Sequence, residues 1–152
     1  MYNTILVPTD GSPGVEPAID NALELAQRYD ASVHAISVID SAELMELDYL
    51  GDRTAFEQTI EPLEDAAKDA VQTVEARARA EDADLEVVTV VRQGTPFETI
   101  LEYADHVDAD LIVMGTHGRR GLSRYLLGST TERIVRASPV PVLTVRFSVD
   151  GE

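Results

Sequence analysis

Residues 110–118 read DLIVMGTHG, and this stretch decides the fold class. Its apolar run, residues 111–114, is typical of a strand that is buried on both faces of a sheet. Strands of that kind occur in parallel sheets that helices cover on both sides. The glycines that follow indicate a turn at the carboxyl end of the strand. The stretch therefore predicts a parallel α/β sheet with a glycine-rich connection at its edge.

The same buried-strand pattern recurs along the chain between turn residues. The predicted strands are residues 4–7, 32–39, 85–91, 110–114 and 141–147. Apolar residues at helical spacing fill the intervals between these strands. Alternation of strands and helices implies a doubly wound, Rossmann-like, five-stranded parallel sheet with helices on both faces. At 152 residues, the chain is expected to form a single domain, 1–152.

Several helix starts are predicted from capping signals. Ser12 followed by Pro13 is typical of an N-cap with proline at the first helical position. Residues 54–57, 95–98 and 129–132 each have the spacing of a capping box. Pro62 lies inside the second helical pattern and predicts a kink or a separate turn there. The acidic segment Asp40–Arg53 is predicted to be a loop or lid.

Composition excludes several classes of protein. The chain has no cysteine, which excludes disulfides, thiol catalysis and cysteine-ligated metals. No apolar run approaches about 18 residues, so no membrane span is expected. The first residues lack the charged and apolar regions of a secretory signal, so the expected location is the cytoplasm.

Charge is distributed unevenly along the chain. The formal net charge is −16, and Lys68 is the single lysine. Such an acidic protein disfavours nucleic acid and anionic membranes as partners. It is typical of a protein kept soluble in high salt, which suggests a halophilic origin. Residues 115–152 are an exception, with six arginines and three acids, which indicates either an anionic ligand or a solvated basic face.

The loop after the fourth strand is the strongest candidate for a ligand site. Doubly wound sheets bind ligands beyond the carboxyl ends of their strands, where the strand order reverses. This loop has the frame glycine, two residues, glycine, nine residues, Gly-Ser, formed by Gly115, Gly118, Gly128 and Ser129. Glycines let backbone N–H groups approach a ligand, and a helix that begins at Gly128-Ser129 favours phosphate. The alternative is a glycine-rich connection in which Ser129 is an ordinary N-cap.

Asp10 and His117 have two interpretations each. Asp10 ends the first strand, where its carboxylate could accept hydrogen bonds from a ribose or adenine, or help to hold a divalent cation. It could equally form an Asx-turn before Ser12. The imidazole of His117 could contact a phosphate or lie in solvent. The loop is not a Walker A motif, because no Gly-Lys-Ser/Thr occurs.

Three stretches together resemble the nucleotide-binding branch of the universal stress protein family. They are residues 5–12 (ILVPTDGS), residues 110–118, and residues 126–132 (LLGSTTE) followed by residues 139–143 (PVPVL). The order of elements also matches along nearly the whole chain. The resemblance implies an adenine nucleotide alpha hydrolase-like sheet of order 3-2-1-4-5. It also implies ATP in the crevice between the first and fourth strands, with Mg²⁺ or Mn²⁺ beside the phosphates.

The resemblance also implies a role for each matching residue. At the adenosine end these are Pro8, Thr9, Asp10 and the backbone of Val38. Near the ribose and phosphates they are Met114, Gly115, His117 and Gly118. Holding the phosphates are Gly128, Ser129, Thr130 and Thr131. Family members commonly form homodimers through the last strand, here Val142 to Phe147.

The resemblance implies a nucleotide-dependent regulator in the stress response and leaves other functions open. One alternative is a slow ATPase or adenylate-transferring enzyme, for which Asp10 and His117 are the only candidate bases. Another is an interaction scaffold without nucleotide. A receiver-type signalling domain is disfavoured, because neither a phosphoacceptor aspartate after the third strand nor a lysine after the fifth is present.

Overall fold

The apolar stretches form strands that alternate with helices. The computed structural model describes residues 1–49, 53–117 and 127–147. Within these ranges the strands are β1 (Thr4–Pro8), β2 (Ser32–Asp40), β3 (Val87–Gly94), β4 (Leu111–Gly115) and β5 (Val142–Val145). The helices are α1 (Glu16–Tyr29), α2 (Ser41–Tyr49), α3 (Arg53–Glu81), α4 (Pro96–His106) and α5 (Ser129–Ala137). All five predicted strands are confirmed, with ends that shift by up to three residues.

The strands form one parallel sheet in the order β3-β2-β1-β4-β5, which confirms the predicted fold class. β1 lies at the centre, where Ile5 pairs with Val33 of β2 and with Leu111 of β4. The chain winds outward from β1 to β3 on one side and then crosses to β4 on the other. The strand order therefore reverses between β1 and β4, where doubly wound sheets place their ligand crevice.

Two apolar layers hold the helices to the sheet. On one face, α1 and α3 pack against β1, β2 and β4, with Leu23, Val74 and Val113 fully buried. On the other face, α4 and α5 pack around Leu6 and Ile112. Neighbouring residues of β1 and β4 thus point to opposite layers, as the period of a strand requires.

The expectation of a loop or lid over Asp40–Arg53 is wrong for the part that the structure describes, and residues 50–52 lie outside that part. β2 extends to Asp40, residues 41–49 form α2, and Arg53 begins α3. A carboxylate oxygen of Asp40 accepts a hydrogen bond from the backbone N–H of Ala42 at 2.9 Å, which stabilises the start of α2. Leu44, 8% exposed, then packs against Ile39 and Ala67. Capping and the burial of Leu44 stabilise α2, whose apolar periodicity in the sequence is too weak to predict a helix.

The capping signals locate helices but not their hydrogen bonds. α3 begins at Arg53, so Thr54 lies inside it rather than at its cap, and the helix continues through Pro62 without a separate turn. Thr95 is the N-cap residue of α4, yet its side chain makes no capping hydrogen bond. Ser12 precedes a short 3₁₀ turn, Pro13–Val15, that leads into α1. In the described part of the chain, no helix is long and apolar enough to cross a membrane.

Candidate ligand-binding site

A cavity of about 500 Å³ opens at the carboxyl ends of β1, β2 and β4. It lies where the strand order reverses. Its walls include eleven of the residues predicted for the site: Pro8, Thr9, Asp10, Val38, Met114, Gly115, His117, Gly128, Ser129, Thr130 and Thr131. The twelfth predicted residue, Gly118, lies outside the described residues. The fold thus brings together both loops that the sequence singled out.

One end of the cavity is formed where β2 runs past the end of β1. The last link between them is the hydrogen bond from the Thr9 N–H to the Ile36 carbonyl oxygen, at 2.9 Å. Alternate residues of a strand direct their backbone groups to the same side. The N–H and C=O of Val38 therefore point to the side that β1 has left, where Val38 lines the cavity. This end offers one backbone donor and one backbone acceptor.

Apolar side chains from two helices close the same end. Leu63 and Ala67 of α3 lie on one side, and Pro96 and Ile100 of α4 lie on the other. Sequence reasoning missed these residues as site residues, because their helical spacing marks them only as core. It also missed Asp40 and Glu43 at the start of α2, which it placed in a loop. The residues of α3 and α4 could have been found from the position of these two helices, which lie beside the carboxyl end of β2.

The β1–α1 loop has a fixed shape. A carboxylate oxygen of Asp10 accepts a hydrogen bond from the Ser12 N–H at 2.9 Å, and the Thr9 hydroxyl accepts one from the Gly11 N–H at 3.1 Å. Gly11 has φ +77°, a left-handed conformation that glycine adopts without strain. Asp10 therefore forms the Asx-turn that one interpretation predicted, and it also lines the cavity.

The first turn of α5 faces the cavity without a capping side chain. The N-cap residue is Gly128, with φ −62° and ψ 152°, so the expectation of Ser129 as N-cap is wrong by one residue. The first intrahelical bond runs from the Glu132 N–H to the Gly128 carbonyl oxygen. The N–H groups of Ser129, Thr130 and Thr131 precede this bond and have no partner within the helix. Because glycine has no side-chain oxygen, this positive helix end remains available to an anion.

Two hydrogen bonds join this turn to the end of β4. The Gly128 N–H donates to the Thr116 carbonyl oxygen at 2.7 Å. The Thr131 hydroxyl donates to the Gly115 carbonyl oxygen at 3.0 Å, and Thr131 is 4% exposed. Neither bond follows from the glycine spacing in the sequence.

The arginines of residues 115–152 that the structure describes, Arg133, Arg136 and Arg146, do not line the cavity. The guanidinium of Arg133 lies 5.0 Å from the centre of the Phe97 ring. Arg136 forms an exposed ion pair with Glu132 at 2.9 Å. Both residues are exposed, as the interpretation of a solvated basic face expects. Arg119, Arg120 and Arg124 lie outside the described residues.

The described residues contain no cluster of side chains suited to a metal ion. Across residues 1–49, 53–117 and 127–147, no three histidine or acidic side chains lie close enough together to hold a metal ion. The carboxylates on the cavity wall, Asp10, Asp40 and Glu43, are spread along it from the end of β1 to α2.

The displaced pKa values resolved among the described residues lie outside the cavity. Burial lowers the pKa of His34, and the nearby Glu86 carboxylate opposes this effect. Burial raises the pKa of Tyr103, and the Arg92 guanidinium opposes it. A ring nitrogen of His34 lies 2.7 Å from the Tyr103 hydroxyl, which joins β2 to α4.

The fold and the cavity define a parallel α/β protein with a ligand site at its topological switch point. The sequence pattern of the universal stress protein family matches residues 1–146. The chain belongs to the universal stress protein family.

Known relatives cover nearly the whole chain. Universal stress protein MJ0531 of Methanocaldococcus jannaschii is 37% identical over 146 residues, which are 96% of this chain and 83% of that protein. The solved structure of the hypothetical protein MJ0577 has a TM-score of 0.82 at 29% identity and covers 99% of both chains. A universal stress protein solved in complex with cAMP has a TM-score of 0.67 at 27% identity, covering 97% of this chain and 98% of that one.

Proposed function

We propose that the protein binds an adenine nucleotide, ATP by preference, in the cavity at the ends of β1, β2 and β4, and acts as a nucleotide-dependent regulator in the stress response. The observation that carries the proposal is the composition of the cavity wall. At one end of the cavity, apolar side chains lie beside the backbone of Val38. At the other end lies the N-terminus of α5, whose N-cap residue is Gly128. A nucleotide has the same division between an aromatic base and an anionic chain.

The base occupies the slot between α3 and α4. Adenine presents an amino donor next to a ring nitrogen acceptor, which complements the C=O and N–H of Val38. Leu63 and Ile100 supply apolar surface for the two faces of the ring. Guanine presents a carbonyl acceptor and a ring N–H at the same edge, so it would place donor against donor and acceptor against acceptor.

The ribose lies against the loop that follows β1. The Asp10 carboxylate accepts hydrogen bonds from the ribose hydroxyls, with Pro8 and Thr9 beside it. Met114 and Gly115 at the end of β4 form the opposite wall.

The phosphates reach the first turn of α5. The N–H groups of Ser129, Thr130 and Thr131 and the hydroxyls of Ser129 and Thr130 supply donors there. His117 and Gly118 contribute from the preceding loop. Mg²⁺ or Mn²⁺ is held by phosphate oxygens, since the described side chains offer no cluster of their own.

The solved relative in complex with cAMP supports an adenine nucleotide as the ligand class, since it shares this fold at 27% identity. A net charge of −16 and the lack of cysteine support a cytoplasmic protein adapted to high salt. The exposed side chains of Leu143 on β5 and of Phe147, two residues beyond the end of β5, support a homodimer formed through Val142 to Phe147.

Release of bound ligand tests the proposal directly. The protein is purified in high salt without added nucleotide and denatured, and any released small molecule is identified by mass spectrometry. The empty protein is titrated with ATP and Mg²⁺ by calorimetry, and turnover is assayed in the same sample. We expect ATP to be recovered or to bind at one per chain. A protein that is isolated empty and gives no heat with ATP would contradict the proposal and favour a scaffold.

A further inference from the structure

The Thr131 hydroxyl donates a hydrogen bond within the protein, and this conflicts with a role in holding phosphate. A threonine hydroxyl has one hydrogen to donate. In Thr131 this hydrogen is directed to the Gly115 carbonyl oxygen at 3.0 Å, in a buried position. The lone pairs that remain on the oxygen would repel a phosphate oxygen. The hydroxyl of Thr131 therefore faces the end of β4 rather than the ligand.

The bond of Thr131 acts together with a second bond one helical turn away. Gly128 and Thr131 are three residues apart and lie on the same side of the first turn of α5. The Gly128 N–H donates to the carbonyl oxygen of Thr116, and the Thr131 hydroxyl donates to that of Gly115. The two acceptors are therefore consecutive carbonyl groups at the end of β4. These bonds join the two ends of the segment formed by residues 117–127.

We propose that Thr131 is a positioning residue that latches the N-terminus of α5 onto the end of β4. The latch, defined as the two bonds Gly128–Thr116 and Thr131–Gly115, sets the distance between the first-turn N–H groups of α5 and the strand ends. As a role in nucleotide binding, this inference rests on the proposed function, whereas the latch itself is a property of the ligand-free protein. Thr131 contributes its backbone N–H to the phosphate site and its hydroxyl to the latch.

Loss of the bond from Thr131 to Gly115 would carry a thermodynamic cost. Gly115 is buried, and removal of the Thr131 hydroxyl would leave its carbonyl oxygen without that donor. Thr131→Val keeps the shape of the side chain and removes only the hydroxyl, whereas Thr131→Ser keeps the hydroxyl and removes a methyl group. Thr73→Val is a matched control, because the exposed Thr73 hydroxyl also donates to a backbone carbonyl, that of Asp69 at 2.9 Å, far from the latch.

Amide hydrogen exchange of the ligand-free protein, followed by NMR, tests the latch. We expect Thr131→Val to speed exchange of the Gly128 amide by about tenfold or more, because loss of one bond frees the other. Amides of the central strand, such as that of Leu6, keep their rates, Thr131→Ser restores the Gly128 rate, and Thr73→Val leaves it unchanged. An unchanged Gly128 rate in Thr131→Val would overturn the inference.

Binding measurements separate positioning from general destabilisation. In Thr131→Val we expect ATP affinity to fall by about tenfold while adenosine affinity stays at the wild-type value, since adenosine does not reach α5. Equal losses for both ligands would overturn the positioning role. If neither ligand binds the wild-type protein, the proposed function has failed, and the exchange experiment still decides on the latch.

A measurement on the wild-type protein covers the case in which Thr131→Val does not fold. A hydroxyl proton held by Gly115 is protected from exchange with water and visible by NMR. We expect this Thr131 proton to be observed and to keep its protection when ATP is added. Its absence from the ligand-free protein, or its release on ATP addition, would overturn the inference.

Discussion

The carbonyl oxygen of Gly14 lies 3.0 Å from the point that a Cβ atom on Gly115 would occupy. Real Cβ atoms rarely approach an oxygen so closely. The space beside residue 115 is therefore too small for a side chain, which explains the glycine at the end of β4. The 3₁₀ turn before α1 packs directly onto the strand end, and both elements border the cavity.

A side chain at residue 115 is therefore expected to displace the 3₁₀ turn. Gly115→Ala should lower the free energy of unfolding by about 1–3 kcal/mol, as overpacking does, and weaken nucleotide binding. Urea unfolding and an ATP titration measure the two effects. Gly14→Ala is the control, because its Cβ would lie 3.5 Å from the His117 carbonyl oxygen, an ordinary contact. If both variants behave alike, the close approach does not explain the glycine.

The dihedral angles of Gly128 allow a sharper test of the phosphate site. Its φ of −62° and ψ of 152° suit any residue, so a substitution there introduces no backbone strain. A serine at this N-cap position would offer its oxygen to the N–H groups of α5 that the phosphate needs. Gly128→Ser should raise the free energy of unfolding by a few tenths of a kcal/mol, since serine caps helices slightly better than glycine.

Binding in the Gly128 variants should change in the opposite direction to stability. We expect Gly128→Ser to weaken ATP binding and Gly128→Asp to weaken it more, because aspartate adds a negative charge beside the phosphates. Adenosine affinity should remain that of the wild type in both. Thermal melts and calorimetry on the same samples provide the comparison. ATP affinity that stays constant in Gly128→Asp would place the phosphates elsewhere.

Asp10 combines a structural and a proposed binding role, and two variants separate them. Asp10→Asn keeps an oxygen that can accept the Ser12 N–H, whereas Asp10→Ala removes it. We expect Asp10→Asn to retain stability but to lose about tenfold in affinity for both adenosine and ATP, because hydrogen bonds to a charged group are the stronger ones. Asp10→Ala should lose stability as well. Inorganic tripolyphosphate is the control ligand, and a parallel loss of its affinity would refute a ribose role for Asp10.

The sequence predicted the sheet well because its signal is local. Buried parallel strands are short apolar runs, and the turn residues on either side of them can be recognised from the local sequence alone. The order of strands followed from the family resemblance alone. The residues of the two strand-end loops could be placed at one site because parallel strands share a carboxyl edge.

The parts that the sequence did not reveal depend on contacts between distant segments. The formation of α2 depends on Leu44 packing against Ala67 of α3, and its own periodicity is too weak to indicate a helix. The apolar walls of the cavity come from α3 and α4, whose inward faces cannot be divided into core and site by spacing. The bond between Thr131 and Gly115 joins residues 16 apart and follows from the docking angle of α5, which no motif encodes.

The free edge of β5 predicts self-association. Leu143, on the short edge strand β5, is 36% exposed, and Phe147, two residues beyond the end of that strand, is 40% exposed. We expect the protein to sediment as a dimer and Leu143→Lys to shift it to the monomer, because a charged residue at a strand edge opposes pairing. Met45→Lys, which replaces an exposed residue on α2, is the control and should sediment as the wild type does. A wild-type monomer at all concentrations would refute the dimer.

The contact between His34 and Tyr103 predicts how stability depends on pH. Burial lowers the pKa of His34 in the folded protein below its ordinary value of 6.5, and Glu86 opposes this only in part. Below pH 6.5 the unfolded chain therefore binds more protons at this residue than the folded chain does. The contribution of neutral His34 to stability is present above pH 6.5 and is lost as the pH falls below that value. The Arg92 guanidinium, 5.8 Å from the centre of the Tyr103 ring, adds a positive charge to the same cluster.

Urea unfolding between pH 7.5 and pH 5 measures this dependence. We expect the free energy of unfolding of the wild-type protein to fall with acidification more steeply than that of His34→Gln, which has no charge to gain at this position. His106→Gln is the control, since His106 also lies beside the Tyr103 ring but on the exposed side of α4. Parallel curves for the wild type and His34→Gln would show that the histidine does not titrate differently on folding. A steeper curve for the variant would reverse the sign derived from burial.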